Sequence, residues 1–230
     1  MIRAIIFDLD GTLADTEPLH FEAFAAILAD QGITLDRDEY FRRLIGFNDR
    51  DCFATILAEN GRQAGEPRIN GLIERKAALY QRMIANRDVL FPGAAGFVRR
   101  SAERFPLVLA TGTLRDEAET ILRRAGLREL FLDIVAAEDV EHGKPEPDCF
   151  IAALGRIGFL MRLRHPIEPA ECLVIEDTVF GVQSARRAAM KVLALAQDTG
   201  AAELLAAGAD LVRPAIGEID LDEVLRFFSR

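Results

Sequence analysis

The sequence predicts an α/β protein in which a Rossmann-like core with a parallel sheet carries an inserted α-helical cap domain. Three observations predict this fold class. Short, continuously apolar runs recur along the chain, helical stretches separate them, and a long block without any strand pattern follows the first run. Strands that are covered on both faces read as apolar runs, and strands that alternate with helices form parallel sheets.

Four apolar runs predict the main strands, and a weaker run predicts a fifth strand at 133–136. The four are Ala4–Phe7, Leu107–Ala110, 173–175 and 192–195. The spacing of apolar residues between the runs predicts helices at 116–125, 149–157 and 179–188. Residues 159–171, which contain two prolines, are typical of a surface loop.

The block between the first two strands predicts a helical cap over residues 15–90, so that residues 1–14 and 91–230 form the core. Residues 22–30, 50–59 and 70–86 space their apolar side chains at helical intervals, and glycines separate these stretches. Phe24, Phe47 and Phe53 could pack inside the cap or line a pocket, and we expect them to pack inside the cap.

Composition excludes several classes of protein. The 230 residues carry a net charge of −9, which gives no general attraction to nucleic acid or to anionic lipid. The three cysteines are odd in number and form no close pair, so we expect neither a disulfide framework nor a zinc knuckle. The first apolar run is too short for a signal peptide, and none is long enough to span a membrane. We therefore expect a cytoplasmic protein with no nucleic-acid and no membrane partner.

Candidate functional residues follow the predicted strands, because ligands of open parallel sheets bind beyond the carboxyl ends of the strands. Asp8 and Asp10 come after the first run, and residues two apart on an extended segment point the same way. Thr111, Gly112 and Thr113 come after the second run and suit an anionic oxygen.

Two further strand ends add a cation and a second pair of acids. Lys144 lies between Gly143 and Pro145, and Glu176 and Asp177 end the run at 173–175. Such a pair suits Mg²⁺, which binds a few oxygens together with water and substrate phosphate. Each signal has a simpler explanation as a turn, a helix cap, a solvated lysine or compensation of a helix dipole. Four in succession at one sheet edge indicate a site.

These motifs in this order resemble the haloacid dehalogenase superfamily of phosphotransferases. The inserted helices, with Thr16, Glu17 and His20 after the first motif, resemble the branch that includes β-phosphoglucomutases and phosphoglycolate phosphatases and has a small helical cap. The resemblance covers nearly the whole chain, and the four motifs together are specific.

The resemblance implies a mechanism and a cofactor. Asp8 would be the nucleophile that forms an aspartyl-phosphate, Asp10 would serve as acid and then as base, and Thr111 and Lys144 would hold the phosphoryl oxygens. Mg²⁺ would bind to Asp8, the backbone carbonyl of Asp10 and Asp177, with Glu176 in support. The predicted substrate is a small phosphorylated metabolite, of the sugar phosphate or phosphoglycolate class, and the branch implies a monomer. The predicted substrate-binding residues are Thr16, Glu17, His20, Gly46, Arg50, Lys76, Gly112 and Thr113.

Alternative reactions remain open. Mutases of this branch place cations before and three residues after the loop glycine, whereas this chain has Ile45 and Asp49 there. Phosphatase activity is therefore favoured over a β-phosphoglucomutase-type mutase, unless Arg50 compensates; a solvent-facing Arg50 is equally compatible with the sequence. A phosphonate-cleaving enzyme that uses Lys76, or a non-catalytic relative, is less favoured.

Two differences from family patterns have separate consequences. Dehalogenases of the superfamily lack the acid at the position of Asp10, so dehalogenation is disfavoured. The family usually has glycine at the position of Ala189, and we expect this change to affect the end of a helix and not the chemistry.

Overall fold

The structure is a computed structural model that describes residues 1–44, 47, 49–63, 65–162 and 165–229. The chain divides into two units, Met1–Asp15 with Asp88–Arg230, and Thr16–Arg87. The first is called the core unit below and the second the helical unit. The sequence placed the corresponding boundaries before residue 15 and after residue 90.

The core unit is built on a six-stranded parallel sheet with the order β3-β2-β1-β4-β5-β6. The strands are β1 (Ala4–Phe7), β2 (Leu107–Ala110), β3 (Asp133–Val135), β4 (Cys172–Glu176), β5 (Lys191–Leu195) and β6 (Leu211–Arg213). In the centre, Ile5 of β1 pairs with Leu107 and Leu173. Strand order reverses between β1 and β4, and such a switch point opens a crevice at the carboxyl ends of the strands.

Strand β6 is the difference from the predicted sheet. Its three residues lie at the edge and are half-buried, so they form no continuous apolar run. The fully buried strands β1 and β2 do form such runs, which is why the sequence pattern found them.

The helical unit contains α1 (Glu17–Ala29), α2 (Arg37–Glu39), α3 (Asp49–Glu59) and α4 (Glu66–Asn86), and a π-helical turn, Tyr40–Leu44, follows α2. Phe24 and Phe53 are buried with ring centroids 5.0 Å apart, as predicted. Phe47 is 46% exposed, so its expected place in this interior was wrong. It lies between the π-helical turn and α3, on neither helix.

Helices cover both faces of the sheet. The core unit has α5 (Ala94–Ala102), α6 (Arg115–Arg124), α7 (Asp148–Met161), α8 (Val179–Arg187), α9 (Ala201–Ala207) and α10 (Leu221–Phe228). On one face, Phe7 makes edge contacts with Phe97 and Phe131 at 6.0 and 5.9 Å. On the other, Phe150 packs on residues of β1 and β2. Because both faces are covered, polar groups of the sheet meet solvent mainly at its ends.

Helix α7 runs further than predicted. It continues to Met161, so the loop expected from residue 159 begins later, and a 3₁₀ turn at Pro169–Glu171 precedes β4. Phe159, Leu160 and Met161 in the last turn are exposed. Because these three apolar residues are consecutive, they show no helical spacing, and the sequence pattern did not predict this end of the helix. Within the described ranges, no helix combines the length and the hydropathy that crossing a bilayer requires.

Candidate active site

The loop after β1 carries the first two predicted catalytic residues. Asp8 is buried, and its N–H donates to the carbonyl of Ile175 on β4 at 3.0 Å. Gly11 turns the chain after Asp10 with a φ of +77°, which an L side chain adopts only with strain. A Cβ atom on Gly11 would lie 2.1 Å from Oδ2 of Asp177, so glycine is required for space as well.

Lys144 reaches this loop from the segment before α7. Its Nζ atom lies 2.5 Å from Oδ1 of Asp8 and 2.8 Å from Oε1 of Glu176, and it also donates to the carbonyl of Ala110 at 3.3 Å. Burial alone would lower the pKa of Lys144, but the two carboxylates outweigh this effect and hold the pKa well above its ordinary value. Lys144 is therefore a partly buried ammonium, with 15% of its side chain exposed, that faces the predicted nucleophile.

The end of β4 supplies two buried carboxylates that are held in different ways. Oε2 of Glu176 accepts from the N–H of Asp177 at 2.7 Å and from the N–H and hydroxyl of Thr178 at 2.7 and 2.9 Å. Asp177 accepts at Oδ1 from the hydroxyl of Thr12 at 2.8 Å. A Cβ atom on Gly181 would lie 1.7 Å from Oε1 of Glu176, so α8 approaches this carboxylate as closely as glycine allows.

The residues after β2 lie beside Asp10. The hydroxyl of Thr113 donates to Oδ2 of Asp10, and the hydroxyl of Thr111 lies 3.4 Å from the same oxygen. The Thr113 N–H donates to Oγ1 of Thr111 at 3.0 Å, while Gly112 between them is exposed. The structure therefore brings together the predicted catalytic residues Asp8, Asp10, Thr111 and Lys144. Thr113, predicted to bind substrate, here contacts Asp10.

The charges of the site are unbalanced in favour of the acids. Among the described residues, three buried carboxylates, those of Asp8, Glu176 and Asp177, lie near one ammonium, and Lys144 pairs with the first two. Burial raises the pKa of Asp8 to about 7, against the attraction of Lys144. Burial, together with repulsion from Glu176 and Asp8, raises the pKa of Asp177 to about 9. All three carboxylates would be ionised together near neutral pH only with a further cation beside them.

This donor set fits Mg²⁺. The ion takes oxygen ligands and is commonly held by one or two carboxylates, with water and substrate phosphate in the remaining positions. Asp8 and Asp177 provide two carboxylates. The family resemblance implies a third ligand, the backbone carbonyl of Asp10. Among the described residues, no three His, Cys, Asp or Glu side chains form a complete ligand set by themselves.

The predicted substrate-binding residues of the helical unit form a second cluster. Lys76 is 3% exposed, donates to Oδ1 of Asp49 at 2.7 Å and lies 2.8 Å from Nδ1 of His20. Burial, and then the charge of Lys76, lowers the pKa of His20 to about 3, so the imidazole is neutral and accepts from the ammonium. Glu17 accepts from the hydroxyl of Tyr40 at 2.6 Å. The helical unit thus holds a buried cation whose charge Asp49 balances.

Two of the remaining predicted residues, Thr16 and Arg50, are among those that the structure describes. Thr16 is buried and directly precedes α1. Arg50 is on the surface, where it donates to Glu66 at 3.1 Å and to Asn70 at 2.9 Å. This is the solvent-facing arrangement that the sequence left open for Arg50. Gly46 lies outside the described residues.

Sequence reasoning missed several residues that support the site. Thr12 and Thr178 bind the carboxylates of β4, Gly181 leaves room for Glu176, and Gln197 contacts the loop after Asp10. Gln197 follows the run at 192–195, so the strand-end rule that found the other residues could have found it as well. Thr12 and Thr178 also follow predicted strands, but hydroxyls beside a turn or a helix start commonly cap the backbone, so the pattern assigned them no role.

Comparison with known proteins agrees with this arrangement. The sequence matches the family described as haloacid dehalogenase-like hydrolase over residues 2–189. Fructose-1-phosphate phosphatase YqaB of Escherichia coli is 32% identical over 188 residues, which cover 81% of this chain and 92% of that protein. The β-phosphoglucomutase of Bacillus subtilis is 30% identical over 226 residues, 96% of this chain and 93% of that protein.

A solved structure shows the same fold. CbbY from Rhodobacter sphaeroides, crystallised as a mutant with xylulose-(1,5)bisphosphate, superposes with a TM-score of 0.78 at 29% identity, covering 95% of this chain and 96% of that one. The predicted fold class and family resemblance are thus confirmed. With its parallel sheet, its inserted helices and its four motifs, this chain is an enzyme that belongs to the haloacid dehalogenase-like hydrolase family.

Proposed function

We propose that this enzyme is a Mg²⁺-dependent phosphatase that hydrolyses the phosphate monoester of a small metabolite through an aspartyl-phosphate on Asp8. The observation that carries the proposal is the placement of a partly buried ammonium, Lys144, within 2.5 Å of a carboxylate oxygen at the strand switch point. A carboxylate attacks a phosphoryl group only when the repulsion between the two anions is neutralised.

In the first step, an oxygen of Asp8 forms a bond to phosphorus while the bond from phosphorus to the ester oxygen breaks. Asp10 donates its proton to the leaving alkoxide, so the alcohol departs neutral. Lys144 and the hydroxyl of Thr111 stabilise charge on the phosphoryl oxygens, which carry most of it in the loose transition state.

In the second step, water hydrolyses the aspartyl-phosphate. Asp10, now a carboxylate, takes a proton from the water as the water oxygen bonds to phosphorus and the bond from phosphorus to Asp8 breaks. Phosphate leaves, Asp8 returns to a carboxylate and Asp10 is protonated again. The hydroxyls of Thr111 and Thr113 beside Asp10 limit the positions that its carboxylate can take during both transfers.

Asp8, the Asp10 carbonyl and Asp177 would hold Mg²⁺, with Glu176 in support. When bound, the ion supplies a positive charge that neutralises the phosphate and the acids of the site. The excess of buried carboxylates over ammonium groups supports this assignment.

For the substrate, we propose a phosphorylated carbohydrate or a similar small monophosphate such as phosphoglycolate. The relatives named as a fructose-1-phosphate phosphatase and a β-phosphoglucomutase support a phosphorylated sugar. We propose that Thr16, Glu17, His20 and Lys76 contribute to selecting the leaving group. We further propose that the protein is a monomer, which size-exclusion chromatography would test. We also propose that it is cytoplasmic, which cell fractionation would test.

The charge of the helical unit supports phosphatase over mutase activity. Asp49 pairs with Lys76, and Arg50 is engaged by Glu66 and Asn70, so these two cations are already matched by acids or amides. A second phosphate would have to displace such partners. A mutase acting on hexose phosphates is the second candidate, because the 30% identical relative is a β-phosphoglucomutase.

The test is phosphate release from a panel of hexose phosphates, glycerol phosphate and phosphoglycolate with Mg²⁺. We expect release that EDTA abolishes and that Asp8→Asn abolishes while the fold is kept, as circular dichroism would show. Interconversion of hexose phosphates that depends on a bisphosphate primer, without net phosphate release, would instead support the mutase. Inactivity in both assays would contradict an enzyme of either kind.

A further inference from the structure

Gln197 contacts the turn that follows Asp10. It lies two residues beyond the end of β5, and its Nε2 atom donates to the carbonyl of Gly11 at 2.5 Å and lies 3.4 Å from the carbonyl of Thr12. The side chain is partly buried. One amide group therefore binds two successive peptide units of the loop that connects Asp10 with the rest of the chain.

The same turn carries three other constraints. Gly11 has a positive φ, the Gly11 N–H donates to the carbonyl of Ala14 at 2.9 Å, and the Thr12 hydroxyl donates to Asp177. A rotation of the Gly11 or Thr12 peptide would therefore change both the direction of Asp10 and the contact with Asp177. Gln197 opposes such a rotation, because its side-chain amide binds the carbonyls of Gly11 and Thr12 from the side of β5.

We propose that Gln197 is a positioning residue for phosphoryl transfer, acting through the Gly11–Thr12 peptides to hold Asp10 and Asp177 in their reactive orientation. This inference rests on the proposed phosphatase activity. Gln197 itself contacts neither the acids nor Lys144 in these hydrogen bonds, so its effect should fall on the transition state more than on substrate binding.

The test compares Gln197→Met, which keeps the volume and removes the donor, with Gln197→Glu, which sets a carboxylate against two carbonyl oxygens. We expect kcat to fall about tenfold to a hundredfold in Gln197→Met and further in Gln197→Glu, with KM changed by less than about threefold. The control is Asp198→Ala, which changes the exposed neighbouring residue and should keep the wild-type kcat.

A second measurement separates positioning from simple loss of stability. Orthovanadate resembles the transition state of phosphoryl transfer, whereas inorganic phosphate is a ground-state ligand. We expect Gln197→Met to weaken inhibition by orthovanadate by about the same factor as kcat, with inhibition by phosphate nearly unchanged and most of the protein still folded at the assay temperature.

The outcomes distinguish the two proposals. A wild-type protein without phosphatase activity would overturn the proposed function. An active wild type, together with a folded Gln197→Met whose kcat and orthovanadate inhibition stay within threefold of wild type, would overturn the inference about Gln197 alone. An equal loss of affinity for orthovanadate and phosphate would also overturn it, because the residue would then act on binding in general.

Discussion

The Nζ atom of Lys144 lies 2.5 Å from Oδ1 of Asp8, although 136 positions separate the two residues in the chain. The same ammonium contacts Glu176 at 2.8 Å. One cation thus contacts both the proposed nucleophile and the acid that anchors the start of α8. Its removal should affect catalysis and stability together.

Lys144→Met should lower kcat/KM by a factor on the order of 10³, because the transition state loses a charged donor. It should also destabilise the protein by about 3 kcal/mol, since two buried carboxylates lose their counter-charge. Lys144→Arg should recover little activity, because a planar guanidinium does not replace a compact ammonium. Steady-state kinetics and chemical denaturation measure both effects. Lys191→Met, which changes a lysine that donates to Phe228, is the matched control and should keep activity.

Gly181→Ala should impair the site through Glu176. The added methyl would lie 1.7 Å from Oε1, so the carboxylate must move away from Lys144 or from its backbone donors. We expect a lower Tm and a kcat reduced by at least about tenfold. Gly155→Ala on α7, where an added Cβ meets no atom within 4 Å, should instead stabilise the protein by about 1 kcal/mol. Similar effects at both positions would contradict the argument.

Ala189→Gly should stabilise the protein by about 1 kcal/mol. Ala189 follows α8 with a φ of +58°, a left-handed conformation in which a Cβ is unfavourable and glycine is not. Ala188→Gly is the control, because Ala188 has a φ of −74° and gains no such relief. It should destabilise the protein. Urea denaturation of the two variants measures the difference, and a loss of stability in Ala189→Gly would refute the prediction.

Acid should destabilise the helical unit through His20. The pKa of His20 is lowered from 6.5 to about 3 by burial and by the charge of Lys76. In the unfolded chain, His20 therefore becomes protonated as the pH falls through about 6.5, whereas in the folded chain it stays neutral until about pH 3. Above pH 6.5, His20 does not affect the free energy of unfolding. Below pH 6.5, its contribution lowers the free energy of unfolding by at most about 1.4 kcal/mol per pH unit.

His20→Gln keeps an acceptor for Lys76 and removes the titration. We expect the free energy of unfolding of this variant to depend less on pH between 6.5 and 4 than that of the wild type. His142→Gln changes a histidine whose side chain is 61% exposed and serves as the control. If wild type and His20→Gln lose stability in parallel on acidification, His20 is not the group responsible.

The local pattern of apolar residues was enough to predict the buried strands and the inserted helical block. The buried strands read as apolar runs because both faces of the sheet are covered, and the helical block after β1 lacked any strand pattern. The strand-end rule then located the acids, Thr111, Thr113 and Lys144, since parallel strands bring their carboxyl ends to one edge of the sheet. These inferences depend only on neighbours along the chain and on the direction of the strands.

Tertiary structure decided the rest. The short edge strand β6 and the exposed end of α7 carry no distinct periodicity, so their positions depend on packing. The pairing of Asp49 with Lys76 and the contact of Gln197 with Gly11 join residues that are far apart in sequence. The sequence by itself determined which chemical groups stand at the strand ends. Which of them meet within hydrogen-bonding distance was decided only by the fold, because loop geometry and close packing set those distances.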